Sequence, residues 1–342
     1  MASGNLTTYG DISPRTAAKA ARRLLERGQA LMVTERFGMV DPQPMNSTKT
    51  RKWRRYKSLA PATAPLAEGI TPAGSKLSYE DVTANLEQYG DFFRITDVIQ
   101  DTHEDPVLTE GTDVIGEQAA ETAELLRIAV LTAGSNVFYA SGVASRALVA
   151  SKIVLGDIRK VVRAFRRAHA RTISQIIGAT AKISTEPVSP AYFCMCHTDL
   201  EPDIRGISGF VPTEKYADST KAMEGEIGKV EGVRFIATTN FEPWLAIGVA
   251  GTTYLSSGDV PGSSLACDVY PMIFVARNAY AIVPLQGKNA VKIAVKNPGP
   301  VSGDDPLGQR GFVSWKMWQA AAILNELWIA RLEVACTANP TT

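Results

Sequence analysis

Apolar residues recur along the 342-residue chain at two spacings, one near 3.6 residues and one of two, and these divide it into helical and extended segments. The first helical segment follows Asp11-Ile12-Ser13-Pro14, with Ser13 as N-cap and Pro14 at the first helical position. Ala17, Ala21, Leu24 and Leu25 then share a face, Arg15, Lys19, Arg22 and Arg23 lie on the polar surface, and Gly28 can end the helix. A helix this short is marginal alone in water, so it must dock on something. A second helix is predicted over 106–133, opened by Asp105-Pro106. Val114, Ile115, Leu125, Leu126, Ala129, Val130 and Ala133 keep its apolar period, with Glu117, Glu121 and Glu124 on the wet side. It would be about 40 Å long, weakened by Gly111 and Gly116. A third, over 155–171, buries Ile158, Val161, Val162 and Phe165 and leaves Arg159, Lys160, Arg163, Arg166 and Arg167 outside.

Strands are predicted at 191–196, 232–240, 269–276 and 281–285, with a short helix at 197–207. Residues 311–324 and 327–335 read as a strand pair turned at Asn325-Glu326. The mixed order gives an α+β class rather than a regular alternation.

Residues 46–99 do not fit a compact core. The strand at 49–59 has Lys49, Arg51, Trp53, Arg55 and Lys57 on one side and Thr50, Lys52, Arg54 and Tyr56 on the other. A core strand would show an apolar side at a period of two. A segment rich in Pro, Gly and Ala follows, and a second long strand pattern spans 79–99. The connection is too long for an ordinary hairpin. The pattern predicts a projecting arm that meets another chain.

Composition is that of a globular protein, with 45% hydrophobic and 21% charged residues. No apolar run is long enough to span a bilayer and the N-terminus lacks a secretory pattern, so the chain is expected to be cytosolic when made. The net charge of +1 conceals blocks: 12 Lys/Arg against 4 Asp/Glu in 1–59, 2 against 14 in 60–126, and 9 against 1 in 127–171. Such blocks fit solvated surface or complementary subunit contacts.

Candidate chemistry is sparse. Cys194, Cys196, Cys267 and Cys336 are too few for a disulfide scaffold, and their neighbours predict buried thiols. Cys194-Met195-Cys196-His197, near Asp199 and Glu201, resembles a nucleophile or metal cluster. However, Tyr192, Cys194 and Cys196 alternate onto one strand face, which reads as core. His197 reads as a cap-region residue. No phosphate-binding glycine loop occurs, and Asp97, Asp101, Glu104 and Asp105 are better explained by capping than by a cation. Residues 49–57 would suit phosphate contacts with Trp53 or Tyr56 stacking on bases, but a protein contact to a neighbour's carboxylates is favoured.

Five segments together resemble the major capsid proteins of tailed bacteriophages, of the Hong Kong 97-type fold, and within them the branch found in N4-like phages. They are LTTYGDISPRTA (6–17), LEQYGDFFRITDVIQDTHEDPVL (86–108), CHTDLEPDIR (196–205), GEIGKVEGVRFI (225–236) and DPLGQRGFVSWK (305–316). The resemblance implies an N-terminal arm (1–45) and an extended loop lying over the neighbouring subunit (46–99). A peripheral domain with a long spine helix (100–186), an axial domain (187–290) and a C-terminal return to the peripheral domain (291–342) follow. It implies a structural protein, not an enzyme, that self-assembles as hexamers and pentamers into an icosahedral head enclosing double-stranded DNA. No catalytic, cofactor or metal residues are expected. Expected partners are further copies of the chain, a portal protein, separate scaffolding and decoration proteins, and non-specifically packaged DNA, with no membrane. The location would be the virion, after assembly in the host bacterial cytoplasm. Expected inter-subunit contacts are Arg15, Arg22, Arg23, Arg51, Trp53, Arg54, Arg55, Glu68 and Lys76. Lys76 lies near the loop tip, but no motif supports a Lys–Asn link there. The alternative is a nucleic-acid-binding protein using 49–57 and 159–171.

Overall fold

The computed structural model describes residues 32–63, 65, 73–102, 107–177, 185–216, 222–251, 253–256, 266–285, 291–300 and 305–338. The first part of the chain runs α1 (Thr34–Phe37), β1 (Met39–Val40), β2 (Thr50–Tyr56), β3 (Tyr79–Asn85), β4 (Glu87–Thr96), α2 (Asp97–Thr102), α3 (Val107–Thr132), β5 (Val137–Tyr139) and α4 (Leu155–Arg167). Next come β6 (Ile173–Ile177), β7 (Thr185–Cys196), α5 (Glu201–Arg205), β8 (Val211–Pro212), β9 (Glu226–Val230) and β10 (Val233–Ala237). The last strands are β11 (Val269–Val275), β12 (Tyr280–Pro284), β13 (Lys292–Lys296), β14 (Arg310–Ile323) and β15 (Ile329–Ala335).

The eight-stranded sheet has the order β5-β15-β11-β7-β10-β9-β8, with β6 added on β7. Period-two alternation sends its side chains into two cores. Tyr192, Cys194 and Cys196 share one core face, as the sequence predicts, and they pack there with Ile158, Val161, Val162 and Phe165 of α4. Phe193 and Met195 face the opposite way, onto Phe37, Ile128, Leu131 and Tyr280. Phe37 stacks on Phe193 with ring centroids 4.5 Å apart. Burial on this scale is worth roughly 1.5–3 kcal/mol per large side chain.

In the five-stranded sheet, β14 is central, with β4 along one edge and both β12 and β13 along the other. Helix α3 lies on one face, packing Ile115, Ala119 and Ala123 against Val313, Trp315 and Met317. This corrects the apolar face expected from the sequence. Val114 and Leu125 are 46% and 42% exposed, and Glu124 is fully buried rather than wet. Its carboxylate accepts from Val33 N (2.8 Å), Thr34 N (2.9 Å) and the Thr34 hydroxyl, so a residue of α3 satisfies amides at the start of α1. Arg127 also turns inward, donating to Glu35 Oε2 and Gln319 Oε1, each at 3.2 Å.

The expected strand pair at the C-terminal end is corrected as well. Both strands form, but β14 belongs to the five-stranded sheet and β15 to the eight-stranded one. A 3-10 turn at Glu326–Trp328 carries the chain between them. The segment joining β11 to β12 makes the same crossing. The two crossings are tied by Ala276 N to Trp328 O (3.0 Å) and Leu324 N to Ala279 O (2.8 Å). Alternating apolar residues look alike in a hairpin and in two strands of different sheets, so the sequence pattern did not separate these cases.

Candidate inter-subunit surface

The arm expected at 46–99 resolves into two parts. Strands β2 and β3 form a two-stranded sheet of their own, in a register from Thr50–Asn85 to Tyr56–Tyr79. The chain breaks step at Leu86, whose amide donates to Lys49 O at 2.9 Å. Strand β4 then joins β14 over ten pairs, from Glu87–Gln319 to Thr96–Arg310. The second half of the long strand pattern is therefore part of the body.

The hairpin stands on a small apolar footing. Trp53 and Val82 face each other across the strands and pack with Ala84 and Leu86 against Val283 and Ala322. Asp41 anchors the same end: its carboxylate accepts from Arg51 Nε (2.9 Å) and Nη2 (2.6 Å) and from Trp53 Nε1 (2.7 Å). Beyond that footing the hairpin has no apolar side. Tyr56 and Tyr79 are 58% and 55% exposed, and Leu59, Leu77 and Lys76 are exposed further out.

Cross-strand carboxylates hold the cations of β2. Arg54 lies opposite Asp81 and donates to it through Nε (2.8 Å) and Nη2 (3.1 Å), while Lys52 reaches the same carboxylate at 2.7 Å. Arg55 lies opposite Glu80 and pairs with it at 2.8 Å. Lys49 pairs with Glu87 at 2.8 Å. The Arg54 guanidinium also sits 4.1 Å over the Tyr79 ring. Hydrogen bonds from Arg54 and Lys52 hold the Asp81 carboxyl far below the usual carboxylate range, and Arg55 lowers Glu80 in the same way.

Arg51, Trp53, Arg54 and Arg55 are thus brought together, with carboxylate partners in their own chain. Lys76 lies past the paired strands. Arg15, Arg22, Arg23 and Glu68 lie outside the described residues. Sequence reasoning missed Asp41, Glu80 and Asp81 as partners. The signal was present, because YED (79–81) faces RRY (54–56) once the hairpin register is set.

The thiol cluster is part of the core. All four cysteines are buried and free. Burial, reinforced by neighbouring Cys196, pushes the Cys194 thiol well up. Burial also raises Cys336, to about 12. A nucleophilic cysteine needs the opposite shift. His197 caps a 3-10 turn, accepting from Asp199 N at 3.1 Å. Among the described residues, no three metal-ligating side chains converge.

A family model described as phage capsid protein matches residues 79–332. The chain is similar to a major capsid protein of Pseudomonas phage KPP21, with 25% identity over 267 residues. That match covers 72% of this chain and 66% of the relative, just under two thirds of the relative's length. Among solved structures it is similar to the capsid of Ralstonia phage GP4, with a TM-score of 0.67, 12% identity, and 99% and 100% of the two chains covered. The head structure of Helicobacter pylori bacteriophage KHP40 gives a TM-score of 0.63 and 11% identity over 97% and 98%. At such identities the shared feature is the fold.

Proposed function

The chain belongs to the phage capsid protein family, and from that premise we propose that it is the repeating subunit of an icosahedral head of the Hong Kong 97 type. The family is structural and is not an enzyme class. In this reading the subunit assembles as hexamers and pentamers in the host bacterial cytoplasm and ends in the virion around double-stranded DNA. The portal protein and separate scaffolding and decoration proteins are its further partners. The N4-like branch is proposed on the sequence segments quoted above. Residues 1–45 would be the arm and 46–99 the extended loop. Residues 100–186 would form the peripheral domain with α3 as spine, and 187–290 the axial domain. Sheet membership favours placing β14 with the peripheral domain and β15 with the axial one.

The projecting hairpin carries this reading. The cations of β2 are satisfied within the chain, while Tyr56, Leu59, Leu77 and Tyr79 remain exposed beyond the hairpin's footing. A paired ribbon with an uncovered apolar end fits a surface on another copy of the chain. Each such contact is modest, and many simultaneous contacts give a stable shell. The alternative, a nucleic-acid-binding protein using 49–57 and 159–171, is not supported: the chain belongs to the phage capsid protein family, and in the first run Lys49, Arg51, Lys52, Arg54 and Arg55 are already paired with carboxylates.

The test is negative-stain electron microscopy of the protein alone and with scaffold candidates from the same genome. Closed shells or regular tubes are expected. Small monodisperse species in every combination and salt condition would overturn the reading.

A further inference from the structure

The second basic run is paired at its start and unpaired at its end. At the start of α4, Arg159 pairs with Glu231 at 2.7 Å and Lys160 with Asp157 at 3.0 Å. At the end of α4, Arg166 and Arg167 are exposed, as are His169, Arg171 and Arg277 beyond it. Among the described residues none of these five has an acidic partner. Among the described residues, His169, Arg171, Arg277, Asn278 and Trp328 line an open cavity of about 380 Å³, and none of them is a carboxylate.

The backbone around this cavity is arranged so that its carbonyls do not repel an anion. Helix α4 ends with His169 in the left-handed conformation, φ +53°. His169 N donates to Arg166 O (3.1 Å) and Ala170 N to Phe165 O (2.9 Å), the paired bonds that close a helix end. The next carbonyls are capped as well. Trp328 Nε1 donates to Ala168 O (3.0 Å), Tyr192 OH to Ala170 O (3.0 Å) and Arg277 N to Arg171 O (3.0 Å). The partial negative charge of a helix C-terminus is therefore largely masked. The exposed side chains of the lining are His169, Arg171, Arg277 and Asn278, beside a half-buried Trp328.

We propose that this cavity and the last turn of α4 bind the phosphodiester backbone of nucleic acid, so that this face of the subunit is turned toward the packaged genome. The proposal rests on the shell reading above. Arg166, Arg167, His169, Arg171 and Arg277 come from α4, the segment after it and the β11–β12 turn, and three of the five line the cavity, so the positive surface extends beyond it. That suits a charged polymer better than a single small anion. Trp328 supplies an apolar wall against which a sugar or base can rest. No base-reading geometry is implied, and binding should be indifferent to sequence and steeply salt-dependent.

The test titrates the unassembled full chain with a random-sequence duplex at several chloride concentrations. Arg171→Gln with Arg277→Gln should lower the log–log salt slope by about 1.8, or about 0.9 for each phosphate no longer neutralised. Arg171→Lys with Arg277→Lys should keep the slope. Lys292→Gln with Lys296→Gln, an equal charge change on β13, should leave it unchanged. Equal losses from both glutamine pairs would mean general charge and would overturn the proposal, as would no loss from the first pair. Inorganic phosphate or polyglutamate bound through Arg171 and Arg277 in place of the duplex would also overturn it, in favour of a small-anion or acidic-protein site. Circular dichroism monitors folding, and Arg277→Gln alone, with an expected slope change of about 0.9, serves if the double variant unfolds. Failure of the shell reading has a separate sign, the absence of particles from the unsubstituted chain.

Discussion

Glu124 illustrates the limit of periodicity at the scale of single residues. On a helical wheel it falls with Glu117 and Glu121, and nothing local distinguishes it from them. Its partners, Val33 and Thr34, lie about 90 residues upstream, and only the assembled fold turns the side chain inward. Glu124→Ala would strand two amides and a hydroxyl in a water-free site. It should destabilise the unassembled subunit by roughly 1–3 kcal/mol, read as a lower urea midpoint with an unchanged slope. The cysteines, by contrast, were legible one residue at a time. Alternation placed Tyr192, Cys194 and Cys196 on one face, and that face is core.

Among the elements, α3 and α4 were legible because their apolar residues repeat over several turns. The inward face of α3 was not, because it is built from Ala119 and Ala123, which a hydrophobic pattern underweights. Its two described glycines then behave differently. A methyl at Gly111 would collide with the Phe93 ring, whereas a methyl at Gly116 would meet only Ile293 Cδ1 at 3.9 Å. Gly116→Ala should stabilise the subunit by roughly 0.5–1 kcal/mol, and Gly111→Ala should destabilise it despite the same gain in helix propensity. Thermal unfolding of the pair would check this. For the hairpin, the register makes a charge swap informative. Arg54→Glu with Arg55→Glu sets like charges against Asp81 and Glu80, and shells should fail to close while the body stays folded. Adding Asp81→Arg and Glu80→Arg restores the cross-strand pairs. Recovery of shells would assign these arginines to the ribbon itself. Continued failure beside a restored hairpin would assign them to a neighbour's carboxylates, as the sequence led us to expect.

At the scale of the whole molecule, the α+β class was legible, as was a hairpin without a core of its own, though only for β2 and β3, and the partition into two sheets was not. Strand type depends on local alternation, but sheet membership depends on pairings across hundreds of residues. Deleting 62–75 should leave a soluble, folded subunit and weaken the particle, read by circular dichroism and by microscopy after mild heating. Loss of folded protein would mean that the arm is part of the body. The crossing between sheets also has a consequence for the order of events during synthesis. β14 is the central strand of one sheet, and β15 sits between β5 and β11 in the other. On the ribosome, β4, β12 and β13 emerge before the strand that joins them, and β5 and β11 likewise wait for β15. Neither sheet can close until residues 310–335 have been released, so the nascent chain carries open strand edges almost to the end of translation. A half-made subunit therefore has its hairpin but not the closed body on which that hairpin stands.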